Sequence, residues 1–228
     1  MSVRARHRAT RSGANIFRFG SDVAAVRGRF ITFEGIDGSG KTTIVHRIEP
    51  ELRKRGYKVV LTSEPTRTWL GDAVRKSYED DVGPLAETFL FLADRARHTD
   101  EIRTWLRTGA FVLSDRYADS TYAYQGARLE GIVKDPIRWL QRVSAPAVLE
   151  PDLTILLEVP PRLGLRRISG RKRKVRFEKE GFLTRVAKNY DRLARSPRFA
   201  RVDGARSAAE VARDAMAVID RRLGLRSR

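Results

Sequence analysis

The sequence predicts an α/β fold in which a parallel sheet of five strands is covered by helices on both faces. Short apolar runs typical of buried strands alternate along the chain with longer segments of helical periodicity. The first apolar run, residues 30–33, leads into a glycine-rich loop and then a helix, which is how a βαβ unit begins. Because such crossovers place helices against both faces, the strands are expected to be parallel and buried.

The glycine-rich loop is the clearest functional signal in the chain. Residues 35–42 read GIDGSGKT and satisfy the phosphate-loop pattern GxxxxGK[ST]. Glycines let successive N–H groups point at an anion, and the helix N-terminus adds partial positive charge. Lys41 is expected to reach the β- and γ-phosphates, and the Thr42 hydroxyl to bind Mg²⁺. A chance match is disfavoured by the strand before the loop and the helix after it, so a nucleoside-triphosphate site is predicted.

The remaining elements carry local start and stop signals. Gly56 and Gly109 end the first and third helices, Asp135 caps the fifth, and Ser207 with Glu210 forms a capping box for the last. The later predicted strands are 58–62, 110–114, 153–159 and 199–203. The predicted helices are 42–55, 70–77, 84–108, 119–125, 136–143, 161–169, 178–195 and 207 to about 223.

The long third helix, 84–108, is expected to pack on the sheet through one apolar face. Its large apolar residues recur at helical spacing, as they do in an amphipathic helix that buries one stripe. Much of that stripe is formed by Leu85, Phe89, Leu92, Ala96 and Trp105.

Ligands of parallel sheets bind at the carboxyl ends of the strands, where several loops are expected to meet. Asp115 ends a strand there, an arrangement typical of a carboxylate that holds Mg²⁺, although an Asp that only caps the next turn would look the same. Arg67 and Arg116 follow two of the strands and could grip a second phosphate with planar, bidentate donors. The loops at this rim are 35–42, 64–68, 115–117 and the one after 159.

The composition indicates one domain of an intracellular enzyme. A chain of 228 residues is long enough for a single large core. The absence of cysteine excludes a disulfide scaffold, and three scattered histidines disfavour a histidine metal cluster. No apolar run is long enough to cross a bilayer and no signal-peptide core follows the N-terminus, so a cytoplasmic protein without a membrane partner is expected.

The formal net charge of +18 is concentrated in two stretches. Residues 1–29 hold seven arginines and one acid, and residues 162–180 hold nine Lys or Arg and two acids. A basic tail and a basic loop beside a phosphate site are typical of a nucleotide enzyme, whereas a duplex binder spreads charge along one face. Residues 1–27 lack apolar periodicity and are predicted to be a mobile extension; a transit peptide and an overlong reading frame are the alternatives.

Five motifs in order resemble the thymidylate kinase family: GIDGSGKT, the Glu64-Pro65 turn, FLFLADRARH, DRYADSTYAYQG and PDLTILLEV. The resemblance begins at about Arg29 and continues to the C-terminus, so it implies a kinase domain over 28–228. It implies a P-loop NTPase fold of the nucleoside monophosphate kinase type and a homodimer. The implied reaction is Mg²⁺-dependent transfer of the ATP γ-phosphoryl group to dTMP, giving dTDP for dTTP synthesis.

The resemblance also implies roles for individual residues. The ATP-binding residues are Gly35, Ile36, Asp37, Gly38, Ser39, Gly40, Lys41, Thr42 and Thr43, and the metal ligands are Thr42 and Asp115. The dTMP-binding residues are Arg67 and Arg116 for the phosphate, Phe91, Arg95, Thr121 and Gln125 for the base, and Tyr124 for the sugar. The catalytic residues are Lys41, Asp37, Arg116 and, in a lid at about 169–180, Arg171, with Arg173 and Arg176 as alternatives.

Two other functions fit parts of the sequence. A deoxynucleoside kinase also has a Glu-Pro turn after its second strand, but it uses that Glu as a base and typically has Glu-Arg-Ser where this chain has residues 115–117. A basic nucleic-acid-binding protein with an incidental NTP site fits the sequence pI of about 11.0. No aromatic RNA-binding motif, strong helix-turn-helix signal or basic heptad helix supports it.

Overall fold

The computed structural model describes residues 28–170 and 179–225. Its sheet confirms the predicted parallel α/β fold. The strands are β1 (Arg29–Glu34), β2 (Val59–Ser63), β3 (Phe111–Asp115), β4 (Leu153–Glu158) and β5 (Phe199–Asp203). They lie in the order β2-β3-β1-β4-β5, and every neighbouring pair is parallel. The chain therefore reaches each new strand through a crossover that covers one face of the sheet.

Helices cover both faces of this sheet. The helices are α1 (Lys41–Lys54), α2 (Trp69–Lys76), α3 (Pro84–Arg107), α4 (Ala118–Arg128), α5 (Pro136–Ser144), α6 (Pro161–Ile168), α7 (Glu180–Leu193) and α8 (Ala208–Leu223). Apolar residues of α1 and α8 pack with one face of the strands. Those of α3, α4, α5 and α7 pack with the other. Successive strand residues alternate between the two faces. Ile31 and Leu113 pack on the face covered by α1 and α8, whereas Phe30 and Val112 pack on the opposite face.

The register of the strands brings three loops to one level at the carboxyl edge of the sheet. Phe33 of β1 and Ser63 of β2 both pair with Asp115 of β3. The phosphate loop, the Glu64-Pro65 turn and the segment after Asp115 therefore start side by side. This is the geometric basis of the rim that the sequence predicts.

Most of the local helix signals act as predicted. Gly56 and Gly109 follow α1 and α3 with φ of 86° and 76°, and Ser207 with Glu210 forms both hydrogen bonds of a capping box. The prediction for Asp135 is wrong in its mechanism. Asp135 lies at the N-cap of α5, but φ is 44° and the side chain makes no capping hydrogen bond. Its carboxylate instead lies 3.1 Å from Arg192 of α7.

The predicted apolar stripe of α3 is wrong for three of its residues. Leu85 and Phe89 are 39% and 54% exposed, and Ala96 is exposed. The buried face of α3 is mostly polar instead: Glu87, Thr88, Asp94, Arg95, His98, Thr99 and Ile102. Hydrogen-bond partners from other segments make this burial possible, as described below.

Some predictions fall on residues that the structure does not describe. The extension at 1–27 and most of the predicted lid, including Arg171, Arg173 and Arg176, lie outside the described residues. Among the helices in the described ranges, none has the length and apolarity needed to span a bilayer.

Candidate active site

The phosphate loop joins β1 to α1, and three of its glycines have positive φ: Gly35, Gly38 and Gly40. Lys41 is 5% exposed, and its Nζ donates to the carbonyls of Gly35 and Ile36 at 3.0 and 2.9 Å. Burial, followed by the nearby Arg116, lowers the pKa of Lys41 to about 8. A triphosphate would replace these neutral acceptors with charged oxygens and so favour the ammonium form.

Helix α6 closes one side of the phosphate loop. A Cβ at Gly38 would lie 2.1 Å from the Gly164 carbonyl oxygen, and a Cβ at Gly164 would lie 2.5 Å from the Asp37 carbonyl oxygen. Arg167 donates to the carbonyls of Gly38 and Gly204, at 3.4 and 2.8 Å. Arg167 was not predicted as a site residue, because its only signal in the sequence is membership of the basic segment 162–180.

The two predicted metal ligands meet in the structure. The Thr42 hydroxyl donates to Oδ2 of Asp115 across 73 residues of chain. Both are hard oxygen donors, and Mg²⁺ usually takes one or two protein oxygens and keeps several waters. The described residues contain no cluster of three His, Asp or Glu side chains suited to a metal ion. The donor set therefore fits Mg²⁺ bound together with substrate phosphates.

Arg116 reaches across to the phosphate loop from the end of β3. Its Nη2 donates to Oδ1 of Asp37 at 2.5 Å, and its Nη1 donates to the Gly35 carbonyl at 3.3 Å. The guanidinium also lies 5.1 Å from the centre of the Tyr124 ring. The Tyr124 hydroxyl accepts from the backbone N–H of Asp37 at 2.9 Å. The predicted catalytic pair Asp37 and Arg116 and the predicted sugar contact Tyr124 thus form one cluster.

Two cavities adjoin at the predicted metal ligands. The first, of about 330 Å³, is lined by the phosphate loop with Lys41, Arg116 and Arg167. The second, of about 710 Å³, is lined by the loop after β2, including Arg67. Thr42 and Asp115 line both. Of the two arginines predicted to bind a second phosphate, Arg116 lines the first cavity and Arg67 lines the second.

A buried carboxylate that sequence reasoning missed fixes the loop that carries Arg67. Asp94 of α3 is 1% exposed and accepts from the backbone N–H and the hydroxyl of Thr66 at 2.8 and 2.5 Å. From the other side, Arg75 donates to the Thr66 carbonyl at 2.6 Å. Arg67 itself is exposed. Its guanidinium is thus free to meet a ligand while its backbone is held.

The predicted base contacts lie between α3 and α4. Arg95 is 1% exposed, pairs with Glu64, and donates to the Thr121 hydroxyl at 2.9 Å. Within the described chain, its Nε and Nη1 have no hydrogen-bond partner. Gln125 donates to Glu87 at 2.7 Å, and its buried Oε1 likewise has no partner among the described residues. Unpaired buried donors and an unpaired buried acceptor are costly, so Arg95 and Gln125 are places where the described chain leaves hydrogen bonds incomplete.

Phe91 lies on the same helix as Arg95, one turn earlier, and is half-buried. Its ring centre is 6.3 Å from that of Tyr78, with the planes tilted by 40°. Phe91 therefore belongs to an aromatic pair, and part of its side chain remains exposed.

Glu64 is built into the site as a structural anion. It is 6% exposed and bonds to Arg95 and to Nδ1 of His98, the latter at 2.9 Å. Burial acts to raise the pKa of Glu64, but Arg95 and His98 outweigh it, so the pKa lies below its ordinary value. A carboxylate held in this way is a poor general base, which disfavours the deoxynucleoside kinase alternative.

The parallel sheet and the phosphate loop that joins β1 to α1 define a P-loop nucleotide-binding fold. The chain belongs to the thymidylate kinase family: the family model "Thymidylate kinase" matches residues 33–215. A probable thymidylate kinase of Methanococcoides burtonii is 39% identical over 85% of this chain and 97% of the relative. One from Natronomonas pharaonis is 41% identical, over 83% and 96%. A thymidylate kinase of Carboxydothermus hydrogenoformans is 41% identical, over 82% and 94%.

Proposed function

We propose that this chain transfers the γ-phosphoryl group of ATP directly to dTMP, giving dTDP for dTTP synthesis, with Mg²⁺ held by Thr42 and Asp115. Family membership makes it an ATP:dTMP phosphotransferase. The observation that carries the mechanism is the pair of cavities that share those two residues. In-line transfer needs the donor and acceptor phosphates to lie next to each other, and adjoining cavities allow this.

On the ATP side, the loop from Gly35 to Thr43 binds the phosphates through its N–H groups. Lys41 exchanges its carbonyl acceptors for β- and γ-phosphate oxygens. When bound, Mg²⁺ neutralises charge on the phosphate oxygens. Arg171 of the lid supplies further positive charge to the transferred group.

On the dTMP side, Arg67 from the loop after β2 and Arg116 from the end of β3 bind the acceptor phosphate. Phe91 stacks on thymine, and Arg95 and Gln125 contact the base. Thr121 orients Arg95, and Tyr124 crowds the sugar and favours deoxyribose. No general base is needed, because a phosphate monoester has a second pKa near ~6 and is already ionised.

A coupled assay with ATP, Mg²⁺ and each nucleoside monophosphate tests the substrate. We expect dTMP to be used best; efficient turnover of another monophosphate with no dTDP formed would refute the proposal. Thymidine turnover without dTMP turnover would favour a deoxynucleoside kinase. Tight DNA binding at physiological salt that survives deletion of residues 1–27 would favour the nucleic-acid-binding alternative.

The same assay separates the two phosphate sites. Arg67→Ala is expected to raise KM for dTMP by about tenfold or more and KM for ATP little, because it removes a charged hydrogen-bond donor. Arg107→Ala is the matched control, since Arg107 is an exposed arginine at the opposite edge of the sheet. For the lid, alanine at Arg171 should lower kcat more than alanine at Arg173 or Arg176. Equal, small effects at all three would remove that assignment.

We also propose a homodimer that acts in the cytoplasm, where its nucleotide substrates are free. The apolar side chains Leu85 and Phe89 of α3 and Trp69 of α2 are 39%, 54% and 74% exposed, which supports a partner surface there. Light scattering should find a dimer that Phe89→Glu converts to monomer. Ile132→Glu, at a residue 51% exposed after α4, should leave the dimer intact. A monomeric wild-type chain would refute the dimer.

A further inference from the structure

Arg116 is held in an unusual backbone conformation. Its φ is 71°, in the left-handed region that is costly for a residue with a side chain, on the order of 1–3 kcal/mol. The surroundings must therefore impose this conformation. It matters because the turn at Arg116 determines whether the guanidinium points along the rim to Asp37 or away from it.

Several hydrogen bonds hold this turn. The Arg116 N–H donates to the Phe33 carbonyl at 3.0 Å, and the Ser114 hydroxyl donates to the Arg116 carbonyl at 2.6 Å. A buried carboxylate bonds to the residue that follows. Glu34, the last residue of β1, is 0% exposed. Its Oε1 accepts from the backbone N–H of Tyr117, the residue after Arg116, at 2.8 Å. Its Oε2 accepts from the hydroxyls of Ser120 and Tyr190, at 2.6 and 2.9 Å. One side chain thus ties β1 to the turn, to α4 and to α7.

The link continues from Glu34 to the guanidinium through Ser120. Nη1 of Arg116 donates to the Ser120 hydroxyl oxygen at 3.0 Å. A serine hydroxyl has one proton, and here Ser120 donates it to Glu34, so its lone pairs are left for Arg116. A guanidinium can only donate hydrogen bonds, so Ser120 must accept from Arg116 and donate to Glu34. This arrangement therefore requires that Glu34 accepts a hydrogen bond.

We propose that Glu34 is a positioning residue for the acceptor phosphate: it holds the left-handed turn at Arg116 and, through Ser120, aims the guanidinium along the rim. The inference rests on the proposed role of Arg116 in binding dTMP. Glu34 does not line either cavity with the phosphate loop or Arg67, so it acts through Arg116 and not by touching the nucleotide.

The protonation state of Glu34 provides a readout that packing alone would not give. Burial, then the neighbouring Asp119, raises the pKa of Glu34 to about 7. The other charged or titratable groups that face it are Arg116, Lys41 of α1, Tyr190 of α7 and Arg198 before β5. Above this pKa the carboxylate accepts all three hydrogen bonds. Below it, a protonated oxygen becomes a donor and one of the three is lost.

The test compares Glu34→Gln with wild type across pH 6–8. We expect Glu34→Gln to raise KM for dTMP by about tenfold or more, since a hydrogen bond to a charge is lost, while KM for ATP changes about twofold at most. In wild type, KM for dTMP should rise as pH falls through about 7. The variant should keep only the shallower rise that comes from protonation of the dTMP phosphate.

Two further variants keep the test decisive. Ser120→Ala removes the relay without changing Glu34 and should raise KM for dTMP in the same direction, which also covers a Glu34 variant that fails to fold. Thr32→Val is the matched control: Thr32 is buried in the same strand and bonds to Thr154 at 2.9 Å, away from Arg116. It should change stability and leave KM for dTMP unchanged.

The outcomes separate this inference from the role of Arg116. If Arg116→Met raises KM for dTMP and both Glu34→Gln and Ser120→Ala leave it at the wild-type value, Glu34 is not a positioning residue although Arg116 binds dTMP. Equal rises in KM for both nucleotides at Glu34→Gln would make its role structural only. If Arg116→Met has no effect, the proposed role of Arg116 fails, and the role of Glu34 fails with it. Support requires that Glu34→Gln has no further effect in the Arg116→Met background.

Discussion

The contact between α6 and the phosphate loop can be tested by adding a single methyl group. Gly164→Ala places a Cβ 2.5 Å from the Asp37 carbonyl oxygen, whereas ordinary contact begins at 3.4 Å. The backbone of the loop or of the helix must then shift by about 1 Å, because neither atom is at the end of a flexible side chain. Asp37 lies inside the phosphate loop, so the shift is transmitted to the N–H groups that bind ATP.

The expected loss of stability is small. Overpacking costs about 1–3 kcal/mol, and replacing a helical Gly by Ala returns about 1 kcal/mol. The net cost of up to about 2 kcal/mol corresponds to a fall in Tm of at most about 8 °C for a chain of this size. The effect on activity should be larger, because a displacement of about 1 Å at a reacting group can lower the rate by about 100-fold.

Steady-state kinetics and thermal unfolding together check this prediction. For Gly164→Ala we expect kcat/KM for ATP to fall about 10- to 100-fold, with the protein folded at the assay temperature. Gly181→Ala is the matched control, since Gly181 lies near the start of α7 and a Cβ there would meet nothing within 4 Å. It should leave the kinetics unchanged. Wild-type kcat/KM for ATP in Gly164→Ala would refute the reasoning.

Three further predictions follow from other contacts. Arg198→Met leaves the 1% exposed Asp119 without its two-pronged partner at 2.7 and 2.8 Å, and should lower the free energy of unfolding in urea by about 3–5 kcal/mol. The pKa of Lys41 is lowered to about 8, so the side chain is mainly a cation only at pH values below about 8. KM for ATP should therefore rise as pH increases above about 8, approaching tenfold per pH unit. A flat profile to pH 9 would contradict this. Ser207→Ala removes the capping box of α8 and should cost about 1 kcal/mol in urea unfolding without changing kcat.

Local patterns explain why the phosphate loop and the residues at the strand ends can be predicted from the sequence. The phosphate loop needs residues at fixed spacing, so its glycines, Lys41 and Thr42 can be found without a structure. Asp115 ends an apolar strand and Gly56 follows a helix, so the residues next to them mark both positions. The family resemblance added Phe91, Arg95, Thr121, Tyr124 and Gln125, none of which has a local signal.

Other features depend on partners that are distant in the chain. Apolar spacing alone favours burying Leu85 and Phe89, yet α3 buries Asp94, Arg95 and His98 because Thr66 and Glu64 bond to them from the neighbouring loop. In the sequence, Glu34 is only the residue that follows the first predicted strand. Its hydrogen bonds with Tyr117, Ser120 and Tyr190 are visible only in the folded chain.

The sequence by itself determined the order of strands and helices, the phosphate loop and the family, because these depend on short-range periodicity and on motifs. Only the tertiary structure decided which face of α3 is buried, which carboxylates are structural, and that the cavity at the phosphate loop and the cavity beside Arg67 share Thr42 and Asp115. The physical reason is that a polar side chain can be buried only where its hydrogen bonds are completed, and the partners come from segments that folding brings together.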